Sequence, residues 1–241
     1  MGAQRLVALL LAVVGATGCA PFDRRGHAWW EARRDSSGQA PPPASTPEPV
    51  VQVYAARAVS WRGVFAVHTW IALKPREAER YTRYEVVGWG VDSGTPAVRV
   101  NRMGPDNYWF GARPEVLVEH RGEGVDEMIA KIETAVRAYP YPTSYRTWPG
   151  PNSNTFTAYV ARAVPALRLS LPSTAIGKDY LPDGALAARS PSGTGVQLSV
   201  FGMAGMLAGL DEGLELNVLG LTFGVVLKHP ALKLPIVGRL P

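Results

Sequence analysis

Apolar and polar residues alternate along the first half of the chain in a pattern that predicts β-strands. Five extended segments are rich in β-branched or aromatic residues, and turn signals such as Arg62-Gly63 and Lys74-Pro75 separate them. The segments cover residues 50–60, 64–73, 84–91, 97–102 and 108–120. Pro114 interrupts the last of them. This half of the chain therefore predicts a sheet.

The hydrophobic period then changes, and the new period predicts two helices. Ile129, Ile132 and Val136 recur at helical spacing within residues 126–139, and a second apolar helix face covers residues 154–164. Because the strands come first and the helices follow, the pattern favours an α+β fold, with an antiparallel sheet packed against two helices.

The C-terminal third contains two long, uncharged, glycine-rich stretches. Residues 196–207 and 214–227 flank the turn Asp211-Glu212-Gly213, which predicts an additional long β-hairpin. The favoured interpretation is a core ribbon whose glycines permit twist and close backbone approach. The alternative is an exposed surface that faces a membrane or a partner, since an apolar area of that size needs something to cover it.

The N-terminus has the layout of a secretory signal. Arg5 precedes an apolar run over residues 6–14, and small residues lead to Cys19, the only cysteine. The segment resembles a bacterial lipoprotein signal, although Ala16 and Thr17 depart from its usual residues. The resemblance implies cleavage after residue 18 and lipidation of Cys19. That modification would leave no thiol for catalysis, disulfides or metal binding.

The resemblance also implies a location and a domain organisation. Ala20 follows the cysteine where an aspartate would signal inner-membrane retention, so we expect the outer membrane, facing the periplasm of a Gram-negative bacterium. Residues 19–49 form an anchored segment with Trp29 and Trp30 near the lipid headgroups. Its proline-rich part, residues 36–49, is interpreted as a tether of up to about 40 Å. Residues 50–241 are the size of one domain.

Composition excludes several classes of protein. The net charge is +5, but the cations are dispersed and form no basic stripe, so nucleic acid is not an expected partner. The four histidines, His27, His68, His120 and His229, have no metal-ligand spacing. No phosphate-binding loop is present in the sequence. We therefore expect neither a metal nor a cofactor.

Two places in the sequence are candidates for chemistry. His68 is an isolated polar ring in an apolar strand, where a buried imidazole needs a hydrogen-bond partner. Asn152, Ser153 and Asn154 follow a Gly/Pro turn and open the second helix. One interpretation is structural, with His68 as a satisfied core histidine and one of the three polar residues as a helix cap. The other is functional, with the helix end stabilising an anion beside the Ser153 hydroxyl.

These residues resemble the circularly permuted papain-like superfamily, which includes lecithin retinol acyltransferase-like and PPPDE-like proteins. His68-Thr69 matches its histidine site, and Asn152-Ser153-Asn154-Thr155-Phe156 matches its cysteine site with serine in place of the cysteine. The chain also resembles an uncharacterised family of bacterial lipoproteins, a domain of unknown function. That resemblance rests on Trp70, residues 84–90, residues 108–111 and residues 139–156.

The papain-like resemblance implies a catalytic pair of Ser153 and His68, to which Glu85 is a candidate third member. A serine needs a true general base, and Glu85 on the next strand is the candidate that would orient His68, although it could equally pair with Arg83 as a solvated edge charge. Tyr145, Arg146, Asn152 and Asn154 are the candidates for substrate binding.

Two functions therefore stay open. The favoured one is a cell-envelope lipoprotein of unknown role, whose non-catalytic papain-like cleft binds a ligand or partner or serves as a scaffold. The alternative is a serine-dependent hydrolase or acyltransferase acting on an amide, ester or lipid. The distance between His68 and Ser153 discriminates between them.

Overall fold

The computed structural model describes residues 31–241. The predicted signal segment, the predicted lipidation site Cys19, and Trp29 and Trp30 lie outside the described residues. Within residues 31–241, no helix is long and apolar enough to cross a membrane.

The first half of the described chain forms a five-stranded antiparallel sheet, with strand order β4-β3-β2-β1-β5. The strands are β1 (Val50–Arg57), β2 (Val67–Lys74), β3 (Thr82–Val86), β4 (Val98–Val100) and β5 (Glu115–Arg121). The fifth predicted segment was placed too early, because the chain turns at Phe110 and Gly111, both at positive φ, and pairs as a strand only after Pro114. The sheet itself is confirmed.

Two helices cover one face of this sheet. They are α1 (Val125–Arg137) and α2 (Ser153–Ala163). Ile71 and Leu73 of β2 pack in one core with Ile132 of α1 and Phe156 of α2. The α+β class, with an antiparallel sheet against two helices, is therefore confirmed.

The opposite face of the five-stranded sheet carries a second, aromatic core. Tyr54, Trp70 and Trp109 are buried there, and Trp109 comes from the loop that precedes β5. We call the first side the helix face and this side the aromatic face. Since successive strand residues point to opposite faces, each residue of β2 belongs to one of them only.

Residues 36–49, predicted as a tether, lie against the domain. The buried carboxylate of Asp106 accepts hydrogen bonds from the Ser36 hydroxyl at 2.9 Å and from the backbone N–H of Gln39 at 2.7 Å. The Tyr81 hydroxyl donates to the Pro41 carbonyl at 3.0 Å, and Lys74 Nζ donates to the Glu48 carbonyl at 2.8 Å. Contacts spread along this stretch hold it to the five-stranded sheet.

The C-terminal third forms a seven-stranded antiparallel sheet in which each strand pairs with the next along the chain. The strands are β6 (Ala187–Arg189), β7 (Gly195–Val200), β8 (Ala204–Gly209), β9 (Gly213–Val218), β10 (Leu221–Val226), β11 (Ala231–Leu234) and β12 (Gly238–Leu240). The predicted hairpin is part of a larger meander, because each predicted strand folds back on itself. Leu219 and Gly220 both have positive φ and form the two-residue turn between β9 and β10.

The polarity of this sheet is the reverse of that in an ordinary surface sheet. Its apolar side chains form three cross-strand rows on the side of the sheet that faces solvent. We call this side the outer face. The central row is Leu198, Met206, Leu216 and Phe223. A second row is Val196, Ala208, Leu214, Val225, Leu232 and Leu240, and a third is Val200, Ala204, Val218 and Leu221. The interpretation of this region as a core ribbon is therefore wrong for this face.

The inner face of the same sheet buries a network of charges. Oε2 of Glu215 lies 2.5 Å from Lys178 Nζ, and Oε1 of Glu215 lies 2.5 Å from Lys233 Nζ. Lys178 also contacts Asp179 at 3.1 Å, and Asp179 accepts hydrogen bonds from Gln197 and Asn217. All of these side chains are buried.

This network contains charges of both signs. Lys178 and Lys233 face the carboxylates of Asp179 and Glu215. The guanidinium of Arg162, which donates to Gln197, adds a third cation, and the charges of Asp179 and Glu212 act on it. Burial acts to raise the pKa of Glu215, but the charges of Lys178 and Lys233 outweigh it and hold that pKa below its usual range. The ionised form is therefore the one that the fold stabilises.

We expect Lys233→Gln to destabilise the protein by about 3–5 kcal/mol, because Glu215 then keeps only Lys178, which it shares with Asp179, and the buried network carries an excess negative charge. The matched control is Lys228→Gln on the neighbouring turn, where the lysine is 60% exposed and lies 3.6 Å from Asp211. That change should cost less than about 1 kcal/mol. Urea unfolding followed by circular dichroism measures both, and equal costs for the two variants would contradict the role given to the network.

Candidate functional site

His68 belongs to a buried chain of three charged or polar groups on the aromatic face. Its Nε2 lies 2.9 Å from Oε2 of Glu85, and the same oxygen accepts a hydrogen bond from Nη2 of Arg83 at 2.7 Å. The register places Glu85 opposite Trp70, so His68 is the diagonal neighbour of Glu85 across the strand pair. The sequence left open whether Glu85 contacts His68 or Arg83, and it contacts both.

Aromatic rings enclose this group. The indole of Trp109 stacks on the His68 ring with a centroid distance of 3.8 Å, and Trp89 stacks on Trp109 at 5.7 Å. The guanidinium of Arg83 lies 4.1 Å from the ring centroid of Trp70. Glu85 and Arg83 are therefore a buried pair. The sequence had left a solvated edge pair open as one alternative.

Burial and the neighbouring charged groups together determine the protonation states of His68 and Glu85. It lowers the pKa of His68 below its usual value, against the opposing effects of the hydrogen bond and charge of Glu85. Burial acts to raise the pKa of Glu85, but the hydrogen bond with His68 and the charge of Arg83 outweigh it and lower that pKa. The neutral imidazole therefore donates from Nε2 to an ionised carboxylate, which leaves Nδ1 as an acceptor without a hydrogen-bond partner among the described residues.

The start of α2 is fixed by Asn152 acting as the helix cap. Its side-chain oxygen accepts from the N–H groups of Asn154 and Thr155, and the Thr155 hydroxyl accepts from the Asn152 N–H in return. The Asn152 amide donates to the carbonyls of Thr147 and Ile176. Gly177 has φ +96° and approaches this amide so closely that a Cβ would collide with it. The structural interpretation of Asn152 is thus the one that its contacts support.

Thr69 is the residue of β2 that faces this helix end. Its hydroxyl lies 3.2 Å from the Ser153 carbonyl, 3.0 Å from Oδ1 of Asn154 and 2.9 Å from the hydroxyl of Thr157. Asn154 donates to the carbonyls of Val67 and Ile176. Asn154 therefore joins the helix to the strand. The Ser153 side chain, although buried, makes no hydrogen bond within the described part of the chain.

The structure does not bring His68 and Ser153 together. Thr69 points to the helix face and contacts α2, whereas His68 is one residue away on the same strand and points to the aromatic face. Among the described residues, no hydrogen bond joins the His68 ring to the Ser153 hydroxyl. The predicted dyad therefore lacks the contact on which it depends, because a shift of one residue along a strand changes the face.

The candidate substrate-binding residues are separated by their environments. Asn152 and Asn154 are buried and fully engaged in structural hydrogen bonds. The Tyr145 ring packs on Gly88, where a Cβ would overlap it, and burial raises the pKa of Tyr145. Arg146 is exposed, and its backbone N–H donates to the Pro151 carbonyl at 2.7 Å. Asn152 and Asn154 are therefore held by contacts within the fold, whereas Arg146 is accessible to solvent.

Sequence reasoning missed Arg83 as a buried partner and Trp109 as the ring that covers His68. The alternation Arg83, Glu85 on β3 was a signal for the first, because both side chains then share the face of His68. Trp109 comes from an irregular loop, for which no periodicity exists. Oε1 of Glu85 and Nε of Arg83 are buried, and neither has a hydrogen-bond partner in the described part of the chain. Within residues 31–241, no group of three or more His, Cys, Asp or Glu side chains could hold a metal ion.

We expect Asn152→Ala to destabilise the protein by about 2–4 kcal/mol, because it removes the helix cap and leaves the Thr147 and Ile176 carbonyls without this donor. Ser153→Ala is the matched control one residue away, and we expect a change within about 0.5 kcal/mol because the Ser153 hydroxyl makes no hydrogen bond. Thermal and urea unfolding compare the two, and a large cost for Ser153→Ala would reveal a contact that this geometry lacks.

We expect the stability of the protein to fall as the pH drops from about 8 to about 5, partly because of His68. The pKa of folded His68 lies below its ordinary value of 6.5, so the unfolded chain binds more protons in the interval between the two values. The titration of His68 therefore leaves the free energy of unfolding nearly unchanged above about pH 6.5 and lowers it as the pH falls below that value. Urea midpoints at several pH values should decline less steeply for His68→Gln. Parallel declines for both chains would refute the burial argument.

One comparison with known proteins identifies a family. No curated protein and no solved structure matches the chain. The family model described as "Protein of unknown function (DUF3750)" matches residues 48–180, from just before β1 to the residues that anchor the C-terminal sheet. Because this match covers more than half of the chain, the protein belongs to the DUF3750 family of proteins of unknown function.

Proposed function

We propose that this protein is a non-catalytic lipoprotein of the cell envelope, whose DUF3750 domain serves in binding or as a scaffold. The observation that carries the proposal is the placement of His68 and Ser153 on opposite faces of the five-stranded sheet. A hydrolase or acyltransferase built on these two residues would need them within hydrogen-bond reach or one water apart.

The surroundings of Ser153 support the same conclusion. A serine hydroxyl needs a general base, yet among the described residues no side chain is hydrogen-bonded to the Ser153 hydroxyl, and the hydrogen bond of the His68 ring is with Glu85. The N–H groups of Asn154 and Thr155 at the start of α2 donate to the Asn152 cap. Nothing in this arrangement activates the hydroxyl, so the acyl-transfer alternative has no geometric support.

The order of elements supports a distant relationship to the permuted papain-like superfamily. The strand with His68-Thr69 precedes the helix with Asn152-Ser153-Asn154, and the helix start packs directly on that strand. What differs is the residue that faces the helix, which is Thr69 and not the histidine. We therefore propose that this region keeps the strand and helix arrangement of the papain-like cleft but lacks the contact between histidine and nucleophile.

The location rests on the N-terminal sequence. A cation, an apolar run and small residues that end on Cys19 support a lipidated N-terminus, and Ala20 supports the outer membrane, facing the periplasm. Lipid on Cys19 would give a membrane contact independent of the folded domain.

We expect the full-length protein, expressed in a Gram-negative host, to incorporate labelled palmitate at Cys19 and to resist a fluorophosphonate probe. The lipid label should disappear in Cys19→Ser, which tests the anchor. Absence of probe labelling on the wild-type chain tests the lack of an activated serine. A probe signal lost in both Ser153→Ala and His68→Ala would establish the hydrolase, and a palmitate label that survives Cys19→Ser would refute the anchor.

A further inference from the structure

On strands β7–β11, the outer face of the C-terminal sheet offers no polar side chain to a partner. Every outward-facing strand position on β7–β11 is Ala, Val, Leu, Met or Phe. The backbone groups of the inner strands pair with neighbours on both sides. Whatever covers this face must therefore be apolar and must need no hydrogen bonds from it.

The outer face is large enough to be an interaction site. Strands β7–β10 are about 20 Å long and β6, β11 and β12 about 10–14 Å, so at a spacing of about 4.8 Å the face covers roughly 550 Å². Met206 is 63% exposed and Leu198 is 57% exposed, although both lie in its central row. An apolar patch of this size lies at the upper end of what soluble monomers expose, and such patches mark interaction sites.

The tips of the hairpins extend the same surface. Leu210, Leu219 and Leu227 occupy three consecutive turns, and each is at least 65% exposed. Turns on protein surfaces are normally rich in Gly, Asn, Asp and Ser. Leucines at these tips make the apolar surface continue past the ends of the strands.

The shape and composition of the face favour fluid aliphatic chains over a protein surface. A groove of about 580 Å³ runs across it, lined by residues that include Leu198, Met206, Leu216 and Phe223. A second copy of the face would double this groove and leave an unfilled space, which a close-packed interface does not tolerate. The outward strand positions of β7–β11 also lack the Trp, Tyr and Arg residues that anchor protein interfaces.

The charges at the margin favour an anionic surface. From Ala187 to the C-terminus, the exposed cations are Arg189, Lys228 and Arg239, and Arg189 shares the outer face as the cross-strand neighbour of Val196. Of the acids in this stretch, Glu212 and Glu215 are buried, and Asp211 lies between two cations, 2.7 Å from Arg168 and 3.6 Å from Lys228. The margin is therefore positive, which complements the phosphates of anionic lipids.

We propose that the outer face docks on the surface of a lipid bilayer that contains anionic phospholipids. The aliphatic rows enter the boundary between headgroups and acyl chains, and the marginal cations contact lipid phosphates. This contact uses other residues than the proposed anchor at Cys19 and does not depend on it. It gives the domain a fixed orientation at the membrane.

The test is vesicle sedimentation with the full chain carrying Cys19→Ser, so that no covalent lipid is present. We expect binding to vesicles of phosphatidylcholine mixed with phosphatidylglycerol. Leu198→Glu and Phe223→Glu, which place a charge in the central row, should each weaken that binding at least about tenfold. Lys228→Gln should weaken it about fivefold on the mixed vesicles and have little effect on phosphatidylcholine alone.

The matched control is Val100→Glu, an exposed valine of the other sheet, which should leave vesicle binding unchanged. All chains share the same N-terminal apolar run, so a difference between variants reports the outer face. Circular dichroism and urea unfolding verify that each variant is folded.

Three results would overturn the proposal. One is vesicle binding that Leu198→Glu and Phe223→Glu leave intact. Another is a chain that stays in the supernatant with both kinds of vesicle. The third is a dimer in sedimentation equilibrium that Leu198→Glu dissociates, since a second copy would then cover the face. None of these results bears on palmitate incorporation at Cys19, so the proposed anchor and the docking surface fail separately.

Discussion

The carboxylate of Glu215 determines which side of the C-terminal sheet faces solvent. Side chains alternate between the faces of a strand, so a slip of one residue would turn the apolar rows inward and leave the charges outside. The hydrophobic effect alone favours that inverted arrangement. Lys178 and Lys233 oppose it, because Glu215 reaches both only when the polar positions of β9 and β11 point inward. The ion network thus specifies a register that burial of apolar area would not select.

The range matched by the family model ends next to two residues of this ion network. The matched range ends at Tyr180, immediately after Lys178 and Asp179, the two network members that precede the sheet. The matched part contains the five-stranded sheet, both helices and the hydrogen bonds between Thr69 and the start of α2. The seven-stranded sheet lies outside it. A family framework therefore carries an attached sheet and supplies the charges that orient it.

The fold class could be predicted from the sequence because period-two and helical segments are separated by strong turn signals. The contact between His68 and Glu85 was also within reach, since two strand residues of opposite character need each other when buried. The pairing of His68 with Ser153 could not be judged, because a motif fixes spacing along the chain while the face of a strand depends on a single residue. The outer face was misread for a related reason. The alternation of Val196, Gln197, Leu198 and Ser199 shows two faces, but only the partners of Gln197 reveal which one is buried.

The contacts of Asp106 shorten the part of the chain that could act as a spacer between Cys19 and the domain. They hold Ser36 and Gln39 to the domain, so residues 36–49 cannot act as a free spacer. The Arg33 guanidinium already lies 3.9 Å from the ring centroid of Tyr108. If Cys19 carries lipid, the chain between it and Arg33 has a contour length of at most about 50 Å. A lipid on Cys19 would therefore leave only a short tether between bilayer and domain, and this tether would keep the local concentration of the domain at the membrane high enough for weak contacts to matter.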